Sequence, residues 1–409
     1  MSTAAPDSRA GKPRRRNSDE PGHRQTTWPE LLNDLVFTVI IAQLAHRLLA
    51  DDSDQSFAEF VLLYIPVWWL WNGETHYSTR FDNEQDVVHR ALTSLQLIGL
   101  IILAATIPQA VESDRLATIY ALTYAGVRLI LLIEYGRAAY YMPESRPYIR
   151  HISRGFGASV VLWALSVFVP LPYRYGIWGL ALLIELSTPL TASGGNLHRD
   201  FPPDVRHLPE RYGLFTLLVL GQSVTSAVGG LTQRGLALTP MLATALSGFI
   251  VIGIWWAYFD RVDSEAVESV GSEKSVAPYA FWLYLHLPLT LALTMVGVGV
   301  MQTIRYADAD VLPHTVQLLM SGSVGAYFLV QAGISLTTLV AGGPHPSIVR
   351  GVLARAGLGI GAGILAFTPH LSALWLLGLL SLGVLTLIVS DTVGTQAPST
   401  FDRKQEPAN

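Results

Sequence analysis

The chain has 409 residues, of which half are hydrophobic and only 14% are charged, and its mean hydropathy is +0.37. Soluble domains carry about a quarter charged residues, so this composition excludes an ordinary soluble protein and predicts an all-α, polytopic membrane protein. The lack of cysteine excludes disulfides and sulfur-ligated metals, and the net charge of −4 gives no reason to expect nucleic acid.

Residues 1–26 are rich in Arg, Pro, Ser and Gly, a composition that predicts a disordered tail. Their basic cluster begins at Lys12 and resembles the start of a signal peptide. The apolar stretch that follows is too long for one, and no small-residue cleavage site is present. We therefore expect a retained cytoplasmic N-terminal tail, and a second cytoplasmic tail over residues 392–409.

Apolar runs recur along the rest of the chain, each with the ~18–25 residues that a hydrocarbon core of about 30 Å requires. They predict a transmembrane helical bundle of about twelve helices. The runs are approximately 28–49, 57–76, 88–110, 116–137, 152–171, 174–192, 209–231, 238–259, 277–303, 313–338, 347–367 and 371–391.

The basic residues predict the orientation of these helices. With the N-terminus inside, most of the 27 lysines and arginines fall in cytoplasmic connections, as the positive-inside rule requires. The outer connections hold only Arg47, Arg115, Arg174, Arg234 and Arg305. We therefore expect a bacterial inner (plasma) membrane protein with both termini in the cytoplasm.

Internal echoes suggest that the chain is duplicated. PELLNDLVFTVIIAQ near Pro29 is echoed by PERYGLFTLLVLGQ near Pro209, and VWWLW at Val67 by IWWAYFD at Ile254. Six helices per half is an even number, which predicts two parallel repeats related by an axis along the membrane normal. The alternative is that apolar helices resemble each other by composition. The predicted parts are a first repeat 27–192, a cytoplasmic linker 193–208 and a second repeat 209–391.

Ionisable and polar groups inside the bilayer segments are the candidates for function, because exposing them to lipid is costly. Counting about 1.5 Å per residue from the inner helix ends predicts one shared polar layer. Its members are Asp34, Gln96, Arg128, Glu185 and His286. Glu30 precedes Asp34 by four residues, so both carboxylates lie on one helical face. The echoed helix keeps Glu210 but has Leu214 where Asp34 would fall.

Arg128 is the most informative of these residues because a guanidinium cannot lose its charge on burial. Glu185 and Asp34 are its expected counter-charges, while Glu134 is expected to pair with Arg137 at i+3. Tyr124 lies on the Arg128 face. Two interpretations stay open: an ion pair that only fixes helix register, or a site that binds an anionic group or relays a proton.

A second polar group is predicted in a short inner loop between the second and third helices. The stretch WWLWNGETHYSTRFD places Glu74, His76, Arg80 and Asp82 there, either to contact a ligand or as a solvated cluster beside an interfacial anchor. Further along, His286 and Gln222 are candidates for ligand contacts or for interhelical hydrogen bonds. No Walker loop, dinucleotide fingerprint, zinc spacing or nucleophile elbow is present, so no metal or cofactor is predicted.

Several motifs together resemble one known family. They are the stretch Thr27–Leu49, RFD at Arg80–Asp82, HLPERYGLFTLLVLGQS at His207–Ser223, WWAYFD at Trp255 and HLPL at His286. With them, residues 26–391 resemble the bacterial low temperature requirement A family. The resemblance implies a multi-pass inner-membrane protein linked to growth in the cold.

The resemblance also implies that this chain is a divergent member. The family has two aromatic residues where this chain has Leu32 and Asn33, and a glutamate at the position of Gln222.

Three functions are open at this stage. The first is a carrier or binder of a small solute or lipid, with a cytoplasm-facing pocket between the halves and Asp34, Arg128 and Glu185 at its base. The second is an intramembrane enzyme on a lipid or isoprenoid substrate, such as a cyclase, with Glu30 or Asp34 as proton donor. The third is a non-catalytic membrane factor for growth in the cold. The expected partners are the bilayer and a small-molecule or lipid ligand, and the sequence does not predict an oligomeric state.

Overall fold

The structure is a computed structural model of the chain. It describes residues 12, 13, 15, 26–50, 53–81, 86–193, 197–260, 267, 277–343 and 345–394. Within these residues the fold is all-helical, with twelve helices of 20 residues or more and no strand. The predicted fold class is therefore confirmed. Asp82 and most residues of the two predicted tails lie outside the described residues.

Each long helix corresponds to one of the predicted apolar runs. The helices are α1 Trp28–Ala50, α2 Asp54–Phe81, α3 Val87–Thr106, α4 Asp114–Tyr141, α5 Arg146–Ser166, α6 Arg174–Ser193, α7 His207–Arg234, α8 Leu238–Phe259, α9 Ala277–Arg305, α10 His314–Gly342, α11 Pro346–Leu365 and α12 Ala373–Gly394. A four-residue helix, Leu197–Asp200, lies between α6 and α7. In the described part of the chain, nine helices are long and apolar enough to cross a membrane, and α2, α5 and α6 are not among them. The chain is thus a multi-pass membrane protein.

Two helix boundaries differ from their predictions. α2 continues to Phe81, and between Pro66 and Phe81 every residue except Glu74 is buried. The polar residues at the end of α2 are buried in protein and stay helical. α5 begins at Arg146, with Pro147 at the position where a missing N–H costs nothing.

The helices divide into two compact units. The first unit contains Met1–Phe215 and Val267–Ala280, and the second contains Thr216–Ala266 and Phe281–Asn409. The duplication into parallel repeats remains a prediction.

The first unit contains α1 to α6. α1 packs on α2 and α3, and α4 contacts α2, α3 and α5, while α6 packs on α5. An aromatic cluster that includes Tyr77, Phe81, Tyr135 and Tyr148 is buried where α2, α4 and α5 meet. α4 is therefore central to this unit, and it carries Arg128.

The second unit contains the tightest helix pair, α10 against α11. Both helices present glycine at the crossing: a Cβ added to Gly325 would lie 2.9 Å from the carbonyl oxygen of Gly359 and 3.2 Å from the backbone nitrogen of Gly363. Small residues at such crossings let helix backbones approach closely in membranes.

We expect Gly325→Ala to destabilise the protein by about 1–3 kcal/mol, because backbone atoms cannot move aside as a side chain can. The matched control is Gly361→Ala on α11, where a Cβ meets nothing within 4 Å. The control is expected to unfold at the wild-type temperature or slightly above it. Thermal unfolding of the purified proteins in one detergent gives the comparison, and equal unfolding temperatures for the two variants would contradict the close packing.

Candidate functional site

Arg128 is fully buried in the middle of α4 and makes all its hydrogen bonds through one nitrogen. Its Nη2 donates to Glu185 Oε2 at 2.8 Å, to the carbonyl oxygen of Trp69 at 3.1 Å and to the Tyr124 hydroxyl at 3.2 Å. The guanidinium also lies over the ring of Phe156, 4.6 Å from its centroid. Glu185 is therefore its counter-charge, as predicted.

Glu185 is held by side-chain donors from two helices besides its own, α4 and α5. Its Oε2 also accepts from the Tyr124 hydroxyl at 2.8 Å, and its Oε1 accepts from Ser159 at 2.6 Å. Both carboxylate oxygens of Glu185 therefore accept hydrogen bonds. Ser159 lies on α5 and carried no sequence signal beyond being a polar residue in an apolar run.

The other side of the Arg128 guanidinium faces a small cavity. Its Nε and Nη1 are buried and have no hydrogen-bond partner in the described part of the chain. The cavity has a volume of about 10 Å³, roughly the space of one water molecule. It is lined by Asn33, Phe37, Leu70, Glu74, Gln96, Leu100, Val127, Arg128 and Leu131.

Polar atoms from other helices converge on the same cavity. Asn33 on α1 has a buried Nδ2, and Gln96 on α3 a buried Oε1, each without a hydrogen-bond partner among the described residues. Gly73 on α2 provides the space for the guanidinium, since a Cβ there would collide with Arg128 Nη1. Four helices thus shape one polar cavity.

A second cluster joins the starts of α1 and α7, and we call it the acid–base ladder, formed by Glu30, Asp34, His207 and Arg211. Arg211 Nη2 donates to Asp34 Oδ1 at 2.9 Å, and His207 Nε2 lies 3.2 Å from Glu30 Oε1. Glu30 and Asp34 are one turn apart on α1, and His207 and Arg211 are one turn apart on α7. The two pairs are the rungs of the ladder: Glu30 with His207 is the outer rung, and Asp34 with Arg211 is the inner rung. The prediction that Asp34 is a counter-charge of Arg128 was wrong, because Arg211 reaches it instead.

The ladder continues outward through Glu210. Glu210 Oε2 lies 3.3 Å from His207 Nδ1, and its Oε1 accepts from the Thr26 hydroxyl at 3.2 Å. Thr27 and Glu30 form a capping box at the start of α1, with Glu30 Oε2 accepting from the Thr27 backbone N–H at 2.9 Å. The inner rung is anchored by Trp71, whose Nε1 donates to Asp34 Oδ1 at 2.8 Å.

The polar end of α2 was wrongly predicted as a loop. His76 accepts from the Tyr279 hydroxyl at 2.9 Å, and Arg80 donates to the carbonyl oxygen of Phe201 at 3.0 Å. The segment after α6 covers this end: the Thr79 carbonyl accepts from the Asp204 backbone N–H at 3.1 Å. His198 lies in this segment. Its burial, together with the nearby positive charge of Arg80, disfavours the protonated imidazole and lowers the pKa of His198 to about 4.

Glu134 and Arg137 do not form the predicted pair. Glu134 lies 2.7 Å from His89 Nδ1, and Arg137 donates to both carboxylate oxygens of Asp86 at 2.8 and 3.0 Å. Asp86 precedes α3 and also accepts from the first N–H groups of that helix. A single carboxylate therefore caps α3 and ties it to α4.

The remaining predicted residues lie in the second unit. His286 on α9 donates from Nδ1 to the Trp282 carbonyl and accepts at Nε2 from the Tyr258 hydroxyl on α8, 3.1 Å away. The alternative of an interhelical hydrogen bond is confirmed for this residue. Gln222 is half-buried on α7.

Comparison with known proteins identifies the family. The sequence model of the bacterial low temperature requirement A protein (LtrA) family matches residues 25–391. The chain belongs to this family. The matched range contains both rungs of the ladder and every residue that lines the cavity, so both features lie in the low temperature requirement A region.

A relative of this low temperature requirement A protein is an uncharacterised protein of Rhizobium meliloti. The two are 27% identical over 300 residues, which is 70% of this chain and 70% of the relative. No solved structure matches the chain.

Proposed function

We propose that this low temperature requirement A protein is a carrier or binder of a small solute or lipid headgroup in the bacterial inner membrane, with both termini in the cytoplasm. The Arg128 cavity is its binding site. One observation carries the proposal: buried hydrogen-bonding atoms of Asn33, Gln96 and Arg128, from three helices, line one cavity with no described protein partner.

A purely structural role explains the ion pair of Arg128 with Glu185 but not the polar atoms that line the cavity. An ion pair that fixes helix register needs Arg128 and Glu185, whose Nη2–Oε2 contact is complete. It gives no reason to leave Arg128 Nε and Nη1, Asn33 Nδ2 and Gln96 Oε1 unused. Each buried group without a hydrogen bond costs about 1–3 kcal/mol, and such groups in natural proteins call for a water or a ligand.

The chemistry of the lining indicates the class of ligand. Arg128 and Asn33 offer donors, while Gln96 offers an acceptor and Glu74 a carboxylate. Because Glu185 already balances the charge of Arg128, a bare anion gains little there. A ligand with both donors and acceptors fits better, such as a hydroxylated, amide-bearing or zwitterionic group.

The present cavity holds no more than a water-sized group, so this conformation is a closed one under the proposal. A larger ligand enters when α1 or α3 moves away from α4, which is the kind of rearrangement that alternating access requires.

The enzyme alternative is less well supported by the site. Its proton donors, Glu30 and Asp34, do not line the Arg128 cavity. The hydroxyl of Tyr124, which lies on the Arg128 face of α4, donates to Glu185. The third alternative, a factor without ligand, predicts that replacing Arg128 and Glu185 together leaves growth in the cold unchanged.

Thermal-shift measurements on the full-length protein in detergent test the proposal. A panel of amino acids, polyols, amides, nucleosides and phospholipids is screened for compounds that raise the unfolding temperature. We expect at least one class to do so, and we expect the rise to be lost in Gln96→Leu and in Asn33→Phe, whose ring fills the cavity.

The matched control is Leu32→Phe, one residue away on α1 at a half-exposed position. It keeps the response because its ring does not enter the cavity. A panel that produces no shift in the wild type contradicts the proposal, and so does a shift that all three variants retain.

A further inference from the structure

The acid–base ladder places a carboxylate at each ring nitrogen of one buried histidine. Both ring nitrogens of His207 face carboxylates: Nε2 lies 3.2 Å from Glu30 Oε1 and Nδ1 lies 3.3 Å from Glu210 Oε2. A neutral imidazole has one N–H and one lone pair. A lone pair facing a carboxylate oxygen is repelled, so this arrangement stabilises one further proton on the imidazole or on a carboxyl group.

The exposure of the side chains decreases along the ladder, from Glu210 to Asp34. The Glu210 side chain is 34% exposed, whereas those of Glu30 and His207 are 9% and 1% exposed. Asp34 at the inner rung is fully buried. A proton that enters at Glu210 thus meets a continuous series of titratable groups that ends inside the helix bundle.

The inner rung has an open position for that proton. Asp34 Oδ1 accepts from both Arg211 and Trp71, while Oδ2 is buried and has no hydrogen-bond partner in the described part of the chain. Arg211 Nε and Nη1 are likewise buried without a partner there. Asp34 Oδ2 is therefore a buried carboxylate oxygen that can accept a proton without breaking the hydrogen bonds of Oδ1.

We infer that the ladder is a proton-binding site, loaded from the side of Glu210 through His207, with Asp34 Oδ2 as the final acceptor. The charged groups that face it among the described residues are Glu30, Glu210, Arg211 and, at the backbone N–H of His207, Asp204. The ligand is the proton itself, a function that the proposed solute site does not supply.

The transfer moves one proton and no electrons. A hydronium ion protonates the Glu210 carboxylate and leaves as water, and Glu210 passes the proton to His207 Nδ1. The imidazolium releases its Nε2 proton to Glu30 Oε1, which leaves His207 as the Nδ1–H tautomer. Glu30 then passes the proton one helical turn along α1 to Asp34 Oδ2, directly or through one water, so that each step breaks one N–H or O–H bond and forms another.

Protonation of Asp34 removes its charge and weakens its hold on Arg211. Asp34 adjoins Asn33, which lines the Arg128 cavity, so the proton site and the solute site share one turn of α1. Coupling between proton and solute rests on the proposed carrier function, whereas the proton site does not depend on it.

Trp71 reports on the inner rung because its Nε1 donates to Asp34 Oδ1. The experiment is a stopped-flow pH jump on the full-length protein in nanodiscs, followed by tryptophan fluorescence. Subtracting the Trp71→Phe trace isolates the signal of this residue. We expect a reversible change in the wild type, no change in Asp34→Asn, and the wild-type amplitude reached about tenfold more slowly in His207→Gln.

The control is His151→Gln on α5, whose ring contacts Thr188 and Thr191 away from the ladder, and it keeps the wild-type rate. Should His207→Gln fail to fold, Glu210→Gln at the more exposed outer position replaces it, with a slower rate expected. A wild-type rate in the folded His207 or Glu210 variant, or a retained signal in Asp34→Asn, overturns the inference. No solute is present, so a failed ligand panel does not affect this result.

Discussion

Glu185→Gln is expected to lower the free energy of unfolding by about 3–5 kcal/mol, because it leaves the fully buried Arg128 without a carboxylate. The glutamine still offers an oxygen to Arg128 and to the Tyr124 hydroxyl. It cannot balance the guanidinium charge, and a guanidinium cannot deprotonate to relieve the cost. Urea or thermal unfolding in one detergent gives the difference.

The matched control for this variant is Glu112→Gln, which makes the same chemical change at an ion pair whose carboxylate is exposed. The Glu112 side chain is 63% exposed and accepts from Arg47 at 3.0 Å, so its loss is expected to cost at most about 1 kcal/mol. Equal unfolding temperatures for Glu185→Gln and Glu112→Gln would show that the buried pair does not stabilise the fold.

A double variant separates the charge effect from the loss of packing. Replacing both partners, as in Arg128→Met with Glu185→Leu, removes the two charges together and is expected to recover most of the lost stability. Recovery of stability combined with loss of the ligand response in the thermal-shift panel assigns Arg128 to binding. If the double variant recovers its stability and also keeps the ligand response, Arg128 stabilises the fold and does not bind the ligand.

The pairing of Arg128 with Glu185 was predictable because a charge in a bilayer segment needs a partner at similar depth, and few carboxylates qualify. The same reasoning failed for Asp34. Its partner, Arg211, lies near the start of α7. A basic residue at the cytoplasmic end of a helix is expected from the positive-inside rule, so Arg211 was not considered as a partner for a buried carboxylate. The i, i+4 spacing of His207 and Arg211 matches that of Glu30 and Asp34 and was the available clue.

The end of α2 shows a different limit of sequence reasoning. The predicted second helix ended near residue 76, and Glu74, His76, Arg80 and Asp82 were expected in a short inner loop. The helix persists because its polar side chains find distant partners: His76 accepts from the Tyr279 hydroxyl, and Arg80 donates to the Phe201 carbonyl oxygen. Partners separated by more than a hundred positions leave no local pattern.

The second unit has its own buried ion pair, which the sequence did not single out. Arg355 on α11 donates to Asp391 on α12, from Nη2 to Oδ2 at 2.9 Å and from Nη1 to Oδ1 at 3.3 Å. Its Nη2 also donates to the carbonyl oxygen of Ala257 at 2.9 Å. In the sequence, Arg355 counts toward the positive-inside asymmetry and Asp391 lies near a segment end, so neither position indicated a buried pair.

Asp391→Asn is expected to destabilise the protein by about 3–5 kcal/mol, since Arg355 keeps its carbonyl contacts but loses its buried, bidentate carboxylate. The matched control is Asp308→Asn, at a pair with Arg234 in which both side chains are about half exposed. It is expected to change stability by at most about 1 kcal/mol.

Amide hydrogen exchange then shows which helices are destabilised in Asp391→Asn and in Glu185→Gln. If the two units open independently, Asp391→Asn accelerates exchange in α11 and α12, and Glu185→Gln accelerates it in α4 and α6. Faster exchange along the whole chain in either variant would instead show that the units unfold as one. A normal exchange pattern in Asp391→Asn would contradict the assigned ion pair, because an uncompensated guanidinium buried between α8, α11 and α12 must open them to water.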